Sequence, residues 1–204
     1  MASNHVDANY RFIAAYNEVN ARIAQRQQAL ALYVSIVISL LAATVALRPN
    51  QQAPEAPIEW LVLGFPVASI CFAFLNYKAE LALTNLRTFL AELESLDQAH
   101  LRLPSYNTEP RWSLGANQAR RYHDYTAAVL VAAGNSLGLG AAYAIFPKRM
   151  AGAPGFMWLA LSLALVAFVV VLVSSRRSYS PKNLAQSTQK QDEQHSPSSE
   201  AKSG

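Results

Sequence analysis

The sequence predicts an all-α integral membrane protein with four transmembrane helices. Four long apolar runs contain no charged side chain, and they lie at residues 29–47, 60–77, 125–146 and 156–174. A helix rises about 1.5 Å per residue, so runs of about 18–22 residues can each cross a hydrocarbon core about 30 Å thick. Lys and Arg residues are grouped in the polar segments outside these runs. We therefore expect two transmembrane hairpins with helical cytoplasmic extensions.

The distribution of positive charge predicts the orientation of the chain. The two short loops contain only Arg48 and the pair Lys148 and Arg149. The other Lys and Arg residues lie in the N-terminal arm, in the long central segment and in the tail. Loops rich in Lys and Arg stay in the cytoplasm. The sequence thus predicts a multi-pass protein of the cell inner membrane with both termini cytoplasmic.

The chain divides into five segments. We expect a cytoplasmic helical arm, a first hairpin, a cytoplasmic helical segment, a second hairpin and a disordered tail, at residues 1–28, 29–77, 78–124, 125–174 and 175–204. The net charge of +4 comes from basic residues beside the ends of the runs. Orientation in the bilayer explains this charge better than binding of a nucleic acid polymer.

The helices are expected to continue beyond the membrane. One apolar stripe is formed by Phe12, Tyr16, Val19 and Ile23, and no Gly or Pro separates it from the first run. This predicts a single helix from about residue 7 to residue 47. A further short helix, from about residue 117 to residue 124, is predicted to lead into the third run.

The segment after the second run shows a heptad pattern that Pro104 ends. The apolar seam consists of Ala79, Ala82, Leu86, Phe89, Leu93, Leu96, His100 and Leu103. Its acidic neighbours, Glu80, Glu92, Glu94 and Asp97, are expected to face water. The seam fits a small bundle within one subunit, and it equally fits contact with other subunits or a partner protein.

The third run contains small and polar residues that favour helix packing. Gly134, Asn135, Gly138 and Gly140 are its predicted packing residues, since small side chains let transmembrane helices approach closely. In the first run, Ser35 and Ser39 lie one turn apart. They fit hydrogen bonds to their own helix backbone, or a polar track through the membrane.

The sequence contains no recognisable catalytic or metal-binding motif. His5, His100, His123 and His195 are scattered, and Cys71 is the single cysteine. There is no phosphate-binding loop and no nucleophile elbow. No Asp, Glu, Lys, Arg or His lies deep in a run, as a proton-coupled carrier would require. We expect a protein that is not an enzyme and uses no cofactor or metal.

One basic and aromatic stretch is a candidate ligand site. It comprises Arg111, Trp112, Arg120, Arg121 and Tyr122. Arginines can hold a phosphate and aromatic rings can stack on a base, so an anionic nucleotide could bind here. The same residue types also meet lipid headgroups at cytoplasmic membrane interfaces.

The layout of residues 10–175 resembles the transmembrane effectors of bacterial Pycsar anti-phage systems. The likeness lies in the order of arm, hairpin, cytoplasmic helical segment and second hairpin, without an enzyme motif. It implies an oligomer that impairs membrane integrity when a cyclic nucleotide, made by a cyclase, binds in the cytoplasm. The alternative is a membrane scaffold or accessory subunit that binds a partner protein through its cytoplasmic helices.

Overall fold

A computed structural model describes residues 8–48, 57–96 and 106–175 of the chain. These residues form α1 (Ala8–Ala46), α2 (Ile58–Ser95), α3 (Pro110–Ile145), α4 (Pro147–Gly152) and α5 (Pro154–Ser175), and they include no strand. The helices α1, α2, α3 and α5 are each long and apolar enough to cross a membrane. The predicted all-α class with four candidate spanning helices is therefore confirmed. The proposed tail, together with His100, Leu103 and Pro104, lies outside the described residues.

The predicted bounds of two long helices can be compared with the structure, and one of the two agrees. The single helix predicted over residues 7–47 is observed as α1. The helix predicted to begin at about residue 117 instead begins at Pro110, so that prediction was wrong by about two turns. Pro110 stands at the start of α3, where proline is suitable because its missing N–H would have no partner in the first turn of a helix.

The helix α2 lies at the centre of the bundle. It packs against α1, α3 and α5, while α3 also packs against α1 and α5. The main core cluster draws residues from all four long helices: Tyr33, Val37, Phe65, Phe72, Ala73, Ala127, Ala128, Val131, Ala167 and Val171. A smaller cluster joins Ile58 and Val62 of α2 to Ala142, Phe146 and Met150. The two clusters together cover the length of the apolar part of α2.

Long apolar side chains point outward around much of the bundle. Leu32, Phe74, Val129 and Leu165 are all more than half exposed. In water such a surface would drive aggregation, whereas in hydrocarbon it is the solvent-facing surface of the protein. The exposed apolar belt is thus consistent with four helices that contact lipid on their outer sides.

The buried faces of α1 and α2 differ from the predicted apolar stripes. Tyr16 and Ile23 of α1 are exposed, whereas Arg26 is buried. On α2 the predicted seam residue Phe89 is 41% exposed, and Glu80, predicted to face water, is only 1% exposed. The buried face of α2 is made instead by Phe65, Ser69, Phe72, Asn76, Glu80, Leu83 and Leu90. The buried face of the apolar part of α2 continues along the rest of this helix. The buried positions are therefore about one residue away from those of the predicted seam.

Glycine allows α3 to approach its neighbours closely. A Cβ on Gly138 would lie 2.5–2.7 Å from ring atoms of Phe65, and one on Gly134 would lie 2.9 Å from the hydroxyl of Tyr33. Both glycines are buried. Gly140 is different, because it is exposed and a Cβ there would meet nothing within 4 Å. Gly140 therefore makes no close packing contact within the described part of this chain, and its predicted packing role stays a prediction.

This contrast gives a test of the packing. Gly138→Ala should destabilise the fold by about 1–3 kcal/mol, because the buried Phe65 ring is rigid and must move. Gly140→Ala should be neutral or slightly stabilising, since alanine is the better helix former. Thermal unfolding in detergent, followed by circular dichroism, measures both. Equal melting temperatures for the two variants would contradict the close contact between α2 and α3.

Candidate functional site

Four charged side chains meet inside the bundle at one end of the apolar layer. Arg26 belongs to α1, Glu80 to α2, and Arg120 and Asp124 to α3. Each lies within five residues of the end of an apolar run. Their side chains are at most 9% exposed. We refer to Arg26, Glu80, Arg120 and Asp124 as the ion network.

Arg26 links three helices through a single guanidinium group. Its Nη1 donates to Oε1 of Glu80, and its Nη2 donates to Oδ1 of Asp124. Its Nε donates to Oδ1 of Asn76 at 2.8 Å. Arginine suits this position because its planar fork of donors can serve several acceptors at once. The result is a direct polar connection of α1 with both α2 and α3.

Arg120 adds a second connection between α3 and α2. It forms an ion pair with Oε2 of Glu80, and its Nη2 donates to Oγ1 of Thr84 at 3.2 Å. Two guanidinium groups and two carboxylates give the ion network no net charge. This balance matters because an uncompensated charge in a buried site is strongly unfavourable, whereas a fully paired set is tolerated.

Burial changes the acid–base properties of the groups in and beside the ion network. These groups lie outside the apolar runs. Burial lowers the pKa of Arg26, and the carboxylate of Asp124 opposes that change. Burial also lowers the pKa of Arg120, and the nearby Arg26 charge lowers it further. The pKa of His123 falls below its usual value, first through burial and then through Arg26, so its ring is neutral at pH 7.

A separate polar cluster lies within the apolar layer. Asn135 of α3 donates from Nδ2 to Oγ of Ser69 at 2.7 Å and to the carbonyl oxygen of Val131 at 2.8 Å. The hydroxyls of Tyr33 and Ser69 are 3.0 Å apart. These contacts join α1, α2 and α3 with uncharged groups, and hydrogen bonds of this kind hold transmembrane helices together. Asn135 thus has the packing role predicted for it.

The two serines of the first run do not form a polar track within this chain. Ser35 donates to the carbonyl oxygen of Ala31 at 2.9 Å, and Ser39 donates to that of Ser35 at 2.8 Å. Both are exposed on the outer face of α1. Each hydroxyl is satisfied by its own helix, which is the backbone-bonding interpretation.

The five residues of the predicted ligand site are not brought together. The guanidinium of Arg111 lies 5.0 Å from the ring centroid of Trp112, and both residues are exposed. Arg121 and Tyr122 are also exposed, about 14 Å further along α3. Arg120 points into the ion network. The predicted patch is therefore two separate surface pairs and one structural arginine.

Sequence reasoning missed the ion network although its residues were visible. Arg26 was assigned to membrane orientation, and Glu80 was placed on a water-facing surface. The available signal was the presence of opposite charges within a turn or so of the ends of three apolar runs. In the two-hairpin topology that the sequence predicts, these three run ends lie at the same face of the membrane, so the charges beside them are expected at similar depths.

Comparison with protein-family models, with curated proteins and with solved structures gives no match to this chain. Among the described residues, no group of three His, Cys, Asp or Glu side chains is placed to hold a metal ion.

Two adjacent arginines test the ion network. Arg120→Gln should lower the free energy of unfolding by about 3 kcal/mol, because it leaves Glu80 with one buried cation fewer. Arg121→Gln should change it by less than about 0.5 kcal/mol, because Arg121 is on the surface. Denaturant unfolding in mixed micelles measures both. Similar losses for the two variants would show that Arg120 has no special structural role.

Proposed function

We propose that this chain is a non-enzymatic effector of the bacterial inner membrane that acts as an oligomer. It impairs the membrane barrier when a cyclic nucleotide binds on the cytoplasmic side, as part of anti-phage defence. The four runs form two hairpins, and the network end, the extensions of α1 and α2 and both termini are cytoplasmic. The observation that carries the proposal is the ion network, because it gives the bundle a single point at which the packing of three helices can be switched.

The ion network is suited to control because a small number of ion pairs holds α3 against α1 and α2 at this level. Asp124 and Arg120 connect α3 to α1 and α2 at the membrane boundary. When α3 moves away, Arg120 and Asp124 lose their partners and must be hydrated, while Arg26 and Glu80 keep only each other. Water then enters between the helices at the end of the apolar layer. Such an arrangement favours two states, a paired dry one and an open wet one, rather than a gradual change.

The exposed face of α3 beside the ion network is the place where a signal can act on this network. Arg121 and Tyr122 are on the surface directly beside Arg120 and Asp124 in sequence. A phosphate on Arg121, with a base against Tyr122, would pull on the same turn of α3 that holds the ion pairs. This location replaces the wider patch that the sequence suggested.

Weakening the ion network should activate the protein without its trigger. Asp124→Asn removes one carboxylate from Arg26, and a loss of about 3 kcal/mol from the paired state shifts the equilibrium about 100-fold toward the open state. We expect bacteria expressing this variant to lose membrane potential, measured with a voltage-sensitive dye. Glu18→Gln is the matched control, because Glu18 pairs with Arg22 on the exposed part of α1. Equal amounts of both variants in the membrane are verified by immunoblotting.

The trigger is tested by a different pair of substitutions. Cells that also express a pyrimidine nucleotide cyclase should depolarise with the wild-type chain. The double variant Arg121→Ala with Tyr122→Ala should respond at least tenfold more weakly, while its thermal stability stays within the wild-type range. The double variant Arg111→Ala with Trp112→Ala tests whether the other exposed pair on α3 contributes to the response. An unchanged response in both would remove α3 as the nucleotide site.

A scaffold or accessory subunit is the second candidate function, and one observation favours it. Beyond the apolar runs, α1 and α2 expose Tyr10, Ile13, Tyr16, Phe89 and Leu96. Exposed apolar side chains on a part that faces water are typical of protein interfaces. A scaffold binds its partner there and leaves the membrane potential unchanged in every variant above. If cells keep their membrane potential when they express Asp124→Asn, and also when they express the wild-type chain with the cyclase, the scaffold is the correct function.

A further inference from the structure

A groove between α1 and α2 runs alongside the ion network. Its volume is about 260 Å³, and it is lined by Arg22, Gln25, Arg26, Ala29, Phe72, Leu75, Asn76, Lys78, Ala79 and Ala82. The lining of α2 covers about 15 Å along the helix axis. The groove therefore reaches from the end of the apolar layer into the polar extension of the bundle.

The two ends of the groove differ in chemistry. Ala29, Phe72 and Leu75 belong to apolar runs, whereas Arg22 and Lys78 lie beyond the ends of those runs. Three cationic side chains line the groove, and no carboxylate is among the lining residues. Arg26 is already paired with Glu80 and Asp124, and Arg22 with Glu18, whereas Lys78 is exposed on the groove wall. An occupant with an anionic head and an apolar tail matches this arrangement.

Asn76 supplies an independent observation, an unpaired hydrogen-bond donor on a residue that lines the groove. Its Oδ1 accepts from Arg26, but its Nδ2 is buried and has no hydrogen-bond partner among the described residues. Buried amide donors in folded proteins are almost always paired. Asn76 lines the groove, so an oxygen atom of a molecule bound there can satisfy this donor.

We propose that the groove binds one anionic phospholipid. Its phosphate lies beside Lys78 and Arg22, an oxygen of the lipid accepts from Asn76, and the start of an acyl chain contacts Phe72 and Leu75. A lipid accounts for the apolar half of the groove, which a free phosphate would leave empty. The negative charge accounts for the cationic half, since anionic headgroups attract Lys and Arg at the membrane surface. This inference requires membrane residence only and is independent of the proposed effector activity.

The test uses the full chain, purified in detergent and stripped of lipid. Phosphatidylglycerol and phosphatidylcholine with the same acyl chains are titrated separately, and bound lipid is counted by native mass spectrometry. We expect one tightly held phosphatidylglycerol per chain and weaker retention of phosphatidylcholine. Lys78→Gln should weaken phosphatidylglycerol binding about fivefold, the effect of one basic residue near a membrane surface. Lys78→Arg should restore most of the affinity.

Lys148→Gln is the matched control, because it removes the same charge from an exposed position in α4 at the other end of the bundle. Equal losses for Lys78→Gln and Lys148→Gln would indicate general attraction to headgroups and overturn the proposal. Glycerol phosphate forms a second arm of the test. If it binds as tightly as phosphatidylglycerol, the groove is an anion site and the lipid assignment is wrong.

A filling substitution locates the lipid in the groove. Ala79→Phe places a ring in the groove without changing its charge, and it should displace the retained phosphatidylglycerol. Retention at the wild-type level would place the lipid elsewhere and overturn the proposal. The melting temperature of the lipid-free variant shows whether the fold survives the change. Should it not survive, the comparison of Lys78→Gln with Lys148→Gln still decides the outcome.

Discussion

The burial of charge at the membrane boundary is the constraint on which this structure depends. A guanidinium or carboxylate group cannot enter a low-dielectric site alone, because the loss of hydration is far larger than any single contact returns. Arg26, Glu80, Arg120 and Asp124 are buried only because each faces an opposite charge from another helix. The requirement that they meet determines which faces of α1, α2 and α3 point inward at this end of the bundle.

Deeper in the apolar layer, a different kind of contact holds the same helices together. Lipid removes most of the hydrophobic drive for association, so close packing and hydrogen bonds become the main attractive interactions. Gly134 and Gly138 let α3 approach the rings of Tyr33 and Phe65, and Asn135 donates to Ser69. The two kinds of contact act on the same helices but respond differently to perturbation. Close packing changes little with the surroundings, whereas the ion network depends on staying dry and paired.

This difference connects the structure with the proposals. A ligand that moves the exposed end of α3 acts on charges whose pairing is all or none in character. The groove between α1 and α2 contacts the same network, because Arg26 lines it. A lipid in that groove would support Arg26 in its present position and so favour the paired state. The lipid and the signal would thereby act on one set of contacts.

The sequence alone determined the class of the protein and the positions of its spanning helices. Uncharged runs of about twenty residues have one stable solution in a bilayer, a helix that satisfies its own backbone groups. The sequence also indicated that Gly134, Gly138 and Asn135 take part in helix packing, because small and amide side chains have a limited set of uses among apolar helices. These properties are local, and each can be inferred from one stretch of chain.

Only the tertiary structure decided which residues share a site. Arg26 and Asp124 are 98 positions apart in the chain but form a direct ion pair. The buried face of α2 differs from the predicted heptad seam because it includes Glu80, which pairs with Arg26 and Arg120 of other helices. The spacing of apolar residues in α2 does not indicate these partners. Arg120 and Arg121 are adjacent and chemically identical, but one is buried against Glu80 and the other is on the surface. A rotation of about 100° between successive helical residues separates them, and its direction is set by the packing of the whole bundle.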